Sequence, residues 1–183
     1  MDPPRGAKGL IASTSESGVV VGPDDAVVGW RYWQVANGRL RSVTQRNTEW
    51  KPGHVLSARC SGAGHRAPDE GCECGVYGAR DLESLRQHGL CLAPEALAVG
   101  RVALWGRVLD DVAGWRGQFG RPVAVSVVTE TVEDARLESV LDALKVYAVP
   151  VDTMALADAV AGVSADILAN QAMSARASRT RAR

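Results

Sequence analysis

A chain of 183 residues is long enough to bury one substantial core without disulfide help, and 46% hydrophobic with 23% charged residues is ordinary globular composition. It excludes general disorder, and no apolar run approaches the roughly 20 residues that span a bilayer. The formal charge is zero, but the last ten residues carry Arg176, Arg179, Arg181 and Arg183 with no acid, so a mildly acidic body precedes a basic tail.

Along the chain, residues 1–25 mix Pro, Gly, Ser and Asp with only a short apolar cluster at Val19 to Val21, too little to offset the entropy of ordering. They are expected to form a flexible arm. The opening MDPPRGAKGL lacks the continuous apolar stretch of a secretory signal, and a cytoplasmic chain is expected. From Val27 the pattern turns to β-like pieces: VVGWRYWQV ends at Asn37-Gly38, a favoured hairpin turn, and RLRSVTQ resumes beyond it. Trp50-Lys51-Pro52-Gly53 is a turn signal, and HVLSARC alternates well enough to be a strand that delivers Cys60 into the next loop.

Asp81 to His88 reads as a short helix capped by Asp81 and stopped by Gly89, and Pro94 and Glu95 suit the first turn of another. Gly100 is expected to break the chain. RVALWGRVL, WRGQF and RPVAVSVV then read as three strands of an antiparallel meander. Leu137, Val140, Leu141, Leu144 and Ala148 recur with helical spacing, predicting an amphipathic helix over 132–148 that ends before Pro150. Asp152 or Thr153 can cap a last helix over 151–173, whose stripe Leu156, Val160, Val163 and Ile167 wants a partner surface, either the domain itself or a second copy of the chain.

Cys60, Cys72, Cys74 and Cys91 sit in a chain expected to meet reducing conditions, where metal binding explains clustering better than disulfides do. Cys60, His65, Cys72 and Cys74 form the pattern C-x4-H-x6-C-x-C, three thiols and an imidazole suited to tetrahedral zinc. Gly71 and Gly75 flank the pair and permit a sharp turn about an ion. His54 and His88 are other possible fourth ligands, and Cys91 is a reserve thiol. Against the metal stands the plainer possibility that Cys60 and Cys91 are small buried apolar residues and Cys72 and Cys74 loop thiols. A redox pair at Cys72 and Cys74 would close a very small ring. A structural ion is expected over a catalytic one, because a hydrolytic site leaves a position to water and needs a base, for which Asp69, Glu70 and Glu73 are the local carboxylates.

Trp30, Tyr32, Trp33, Trp50, Trp105 and Trp115 stand in a chain with a single phenylalanine, and most are expected in the core. Alternation puts Trp30 and Tyr32 on one face of their strand and Arg31 and Trp33 on the other. With Arg39, Arg41 and Arg46 nearby, Arg31 and Trp33 are candidates for an aromatic and basic surface that stacks bases or grips phosphates, with the arginine tail adding attraction for nucleic acid.

At GWRYW, at the Trp50 to Gly53 turn, at His65 to Tyr77 (H-x-A-P-x-x-x-C-x-C-G-x-Y) and at VALWGRV, the chain resembles a family of uncharacterised actinobacterial and actinophage proteins, over about residues 28–128. Members of that family carry Trp-Pro-Pro-Gly and Cys-x-Cys-Gly-Ile-Tyr-Ala, where this chain has Lys51 and Cys74-Gly75-Val76-Tyr77-Gly78. The resemblance implies that Cys60, His65, Cys72 and Cys74 act as a unit and brings no activity with it.

The expected architecture is α+β: a flexible arm over 1–25, a domain over 26–150 built on a twisted antiparallel sheet with a zinc knuckle at 60–74 and helices on one face, a C-terminal helix over 151–173, and a disordered basic tail over 174–183. The expected function is a zinc-stabilised binding or regulatory module, possible partners being nucleic acid, or a protein or second copy acting through 153–173, and no membrane. A metal-dependent enzyme is the remaining alternative.

Overall fold

A computed structural model of the chain describes residues 18–45, 48–62, 64–88, 96–161, 166–168 and 170. The strands are β1 (Val19–Val21), β2 (Val27–Ala36), β3 (Arg39–Ser42), β4 (Glu49–Trp50), β5 (Leu56–Ser57), β6 (Val76–Ala79), β7 (Leu97–Asp111), β8 (Gly114–Val128) and β9 (Val151–Met154). The helices are α1 (Leu82–His88), α2 (Asp134–Leu144) and α3 (Leu156–Ala159). Among these residues no helix is long and apolar enough to cross a membrane.

The turn chemistry acts where the sequence places it. Asn37 and Gly38 take φ of 52° and 69°, the left-handed pair that lets β2 fold back on β3 with the twist strands prefer. Pro52 and Gly53, the latter at φ 70°, close a turn in which the His54 N–H donates to the Lys51 carbonyl at 3.1 Å. Asp81 caps α1, its carboxylate accepting from the Ser84 N–H at 2.6 Å.

The long strands differ from the expected meander. β7 and β8 run 15 residues each, so WRGQF and RPVAVSVV are one strand, and Gly100 lies inside β7 instead of breaking the chain. A Cβ at Gly100 would stand 2.1 Å from the Ala124 carbonyl oxygen on the neighbouring strand, so close backbone approach is what selects glycine there. The expected strand HVLSARC contracts to Leu56–Ser57. β2 pairs with β7 and with β6, β6 pairs with β8, and β8 pairs with β7, so these four strands close a ring. β1 adds to the far end of β7, which places Val19 to Val21 in the sheet and not in a flexible arm. β9 pairs parallel with β8, the exception in an otherwise antiparallel sheet.

Both faces of the sheet are covered, where helices on one face were expected. Trp33, Val35 and Leu40 pack with Val140 and Leu144 of α2 and with Tyr147, while the adjacent Tyr32 points the other way and packs with Leu97, Val99, Val128, Leu156 and Val160. Leu82 and Leu85 of α1 join that second cluster.

The C-terminal expectation needs correction in the same place. Residues 151–154, expected to open a helix, extend as β9, because pairing with the edge of β8 satisfies their backbone groups. α3 is only four residues long and ends at Val160, which is extended at φ −134° and ψ 148°. Leu156, Val160 and Leu168 are buried against the protein's own second cluster. Val163 lies outside the described residues, as do most of the expected arm, the expected helix at Pro94 and Glu95, and the basic tail.

Candidate metal centre

β5 and β6 lie end to end along one edge of β8. Leu56 and Ser57 pair with Gly120 and Phe119, the Ala58 N–H donates to the Gln118 carbonyl at 2.8 Å, and Val76 then pairs with Gly117. The register on β8 therefore advances by one residue while the other chain makes the whole excursion 59–75. The excursion is an Ω-shaped loop whose two ends are neighbours. It interrupts what would otherwise be one strand, and it carries all four predicted ligands.

Within the loop the ligand atoms of Cys60, His65, Cys72 and Cys74 all lie within 4.8 Å of one another, and each residue is half-buried. The Cys60 and Cys72 sulfurs are 3.7 Å apart, and His65 Nε2 stands 3.3 Å from the Cys74 sulfur. Zinc–sulfur bonds of about 2.3 Å make the sulfur–sulfur edge of a tetrahedron about 3.8 Å, so the first of these pairs already has the spacing of a shared ion. Burial pushes the Cys74 thiol upward, and its bond with Cys72 and the proximity of Cys60 add to that. The Cys74 thiol resists ionisation unless a cation joins it.

The backbone of the loop is held from below by an arginine that the spacing of the cysteines does not reveal. Arg116 of β8 is 8% exposed. Its Nη1 donates to the carbonyl oxygens of Asp69 at 3.0 Å and Cys74 at 3.2 Å, and also to that of Cys72, while its Nε donates to Asp111 Oδ2 at 2.9 Å. Asp69 turns the chain locally, its Oδ1 accepting from the Gly71 N–H at 3.0 Å and its carbonyl from the Cys72 N–H at 3.2 Å. Gly75 sits at φ 138°, where a Cβ would meet Arg116 Cβ at 3.0 Å and Pro68 Cβ at 3.2 Å. Tyr77 closes the corner by donating its hydroxyl proton to the Glu73 carbonyl. Arg116 lies 42 positions beyond Cys74, between a tryptophan and a glycine on a strand, and no local pattern in the sequence marks it.

The other sequence candidates fall elsewhere. His54 is exposed beside its turn, with Nδ1 2.9 Å from the Pro52 carbonyl oxygen, and is not among the clustered donors. His88 ends α1, and Cys91 lies outside the described residues. The expected basic and aromatic surface does not assemble. Trp33 is 0% exposed, in edge-to-face contact with Trp50 at 5.6 Å, and so has no face on which a base could stack. Arg31 is drawn into the fold, donating to the Tyr77 carbonyl at 2.8 Å and to Ser42 Oγ at 3.3 Å with its guanidinium 5.3 Å over Trp50. Burial pushes that guanidinium down to about 10, and it remains a cation at neutral pH. Arg39 and Arg41 both face Glu49, at 4.0 Å and 3.8 Å, and Arg46 lies outside the described residues.

The chain matches no protein-family model, and comparisons with curated proteins and with solved structures likewise return no match. The reading of the site therefore rests on its donor set: three thiols and one imidazole in one loop can hold a metal ion.

Proposed function

We propose that Cys60, His65, Cys72 and Cys74 hold a single zinc ion and that the ion serves the fold of a small binding or regulatory module. The observation that carries this reading is the convergence of four soft and borderline donors to within 4.8 Å in a loop whose ends are already joined. Thiolates with an imidazole favour zinc over magnesium or calcium, which take oxygen ligands. Four protein ligands complete a tetrahedron, whereas hydrolytic zinc keeps one position for water, so the donor set supports a structural ion.

The packing of the loop supports a structural ion. Cys60, His65, Cys72 and Cys74 are all half-buried, and the apolar side chains buried within 59–75 are only Ala67 and Pro68 among the described residues. Such a loop has too little apolar contact to fix its own shape, and an ion that ties four of its points together supplies what packing does not. Chelation tests this: metal-free chain is expected to melt at a clearly lower temperature than zinc-loaded chain and to recover on adding zinc back. Identical melting curves with and without zinc would remove the structural role.

A further inference from the structure

We infer that Arg116 is the positioning residue of the metal centre, presetting the knuckle for the ion and balancing the charge of the loaded site; this rests on the zinc reading above. One guanidinium nitrogen gathers the carbonyl oxygens of Asp69, Cys72 and Cys74, which belong to two ligands and to the residue that turns the chain before them. Fixing those three carbonyls fixes the peptide planes that follow Asp69, Cys72 and Cys74, and with them the backbone from which the two thiol side chains leave. The guanidinium is in turn held by Asp111 on the β7–β8 hairpin, through Nε at 2.9 Å, so its position is set by the sheet and not by the loop.

Charge points the same way. Three thiolates and a divalent ion leave one net negative charge in a half-buried place, and the guanidinium, bonded to the carbonyls of two of the ligand residues and paired with Asp111, sets a cation beside it. Lysine keeps that charge, but a single ammonium has neither the planar fork nor the reach to hold three carbonyls and a carboxylate together. Groups that orient metal ligands typically cost about 10- to 100-fold in metal affinity when they are removed.

The test is a cobalt(II) and zinc titration of the full chain, comparing the unaltered protein with Arg116→Gln, Arg116→Lys and Asp111→Asn. Affinity is read by competition with a chromophoric chelator, and geometry by the visible absorption of the cobalt form. The unaltered chain is expected to give the intense bands of tetrahedral thiolate-bound cobalt. Arg116→Gln is expected to lose about 10- to 100-fold in zinc affinity with altered cobalt bands, Arg116→Lys to recover part of the affinity but not the spectrum, and Asp111→Asn to show a smaller loss in the same direction. If Arg116→Gln does not fold, Arg116→Lys and Asp111→Asn, checked for native circular dichroism, carry the test. Folded variants with unchanged affinity and unchanged cobalt bands overturn the role of Arg116. An unaltered chain that takes up neither metal overturns the zinc reading instead.

Discussion

The Tyr32 hydroxyl donates to the carbonyl of Ala159 at 2.5 Å, a buried bond joining residues 127 positions apart. It pins the end of α3 to the sheet where Leu156 and Val160 enter the second core cluster. Leu156 and Val160, two residues of the apolar stripe that sequence alone leaves available for self-association, are in this way used inside the protein. Tyr32→Phe is expected to lower stability by about 1 kcal/mol, the net worth of such a bond, and Leu156→Ala by about 2–4 kcal/mol. Urea titration checks both, and Leu156→Ala should leave the molar mass by light scattering unchanged. A stable Leu156→Ala chain whose molar mass falls by half would return the stripe to an interface.

Among the described residues of the loop 59–75, Gly75 is the one with a positive φ. At φ 138°, with Arg116 and Pro68 both within 3.2 Å of where a Cβ would stand, alanine meets an unfavourable conformation and two contacts that must shift. Gly75→Ala is expected to cost about 1–3 kcal/mol, and to weaken zinc binding because the displaced neighbour is Arg116. Gly62, whose Cβ would meet nothing within 4 Å and whose φ is not in the left-handed region, is the control. Gly62→Ala should be close to neutral in the same denaturant titration.

Zinc uptake should release protons. In the metal-free chain burial and the neighbouring thiols hold Cys74 above its ordinary value of 9.0, so at neutral pH that thiol enters the reaction protonated. Metal binding then expels roughly two to three protons per ion, and affinity falls as pH is lowered because protons compete for the same sulfurs. Calorimetry in two buffers of different ionisation enthalpy measures the number directly. Release close to zero would mean that the thiols are not the ligands.

What could be read in advance was what is local. The Asn37-Gly38 hairpin, the Pro52-Gly53 turn, the Asp81 cap and α2 each follow from a few adjacent residues whose conformational preferences agree; α2 is shorter than the expected 132–148, with Val132 extended before it, a 3-10 turn over Lys145–Tyr147 after it and Ala148 at φ 54°. Cys60, His65, Cys72 and Cys74 were legible for a related reason, since all four belong to one short loop and converge within it. What could not be read depends on partners distant in the chain. Gly100 signals a break by composition and becomes a strand residue because Ala124 passes against it. Val151–Met154 has no strand signal of its own and extends because β8 offers a free edge. Trp33 and Arg31, sharing one strand face, were candidates for a surface, and are covered instead, Trp33 in the cluster with α2 and Arg31 against Trp50 and Ser42. Arg116 is the clearest case: its role arises only when β8 passes beneath a loop 42 positions earlier.

In the proposed centre, sulfur from residues 60, 72 and 74 and nitrogen from residue 65 share one zinc ion. X-ray absorption at the zinc edge of the purified chain measures that first shell directly. Near-stoichiometric zinc is expected, with about three sulfurs at roughly 2.3 Å and one nitrogen at roughly 2.0–2.1 Å, and loss of the ion in Cys74→Ser. A chain that purifies without zinc and takes none up, or a first shell made of oxygen, would contradict it.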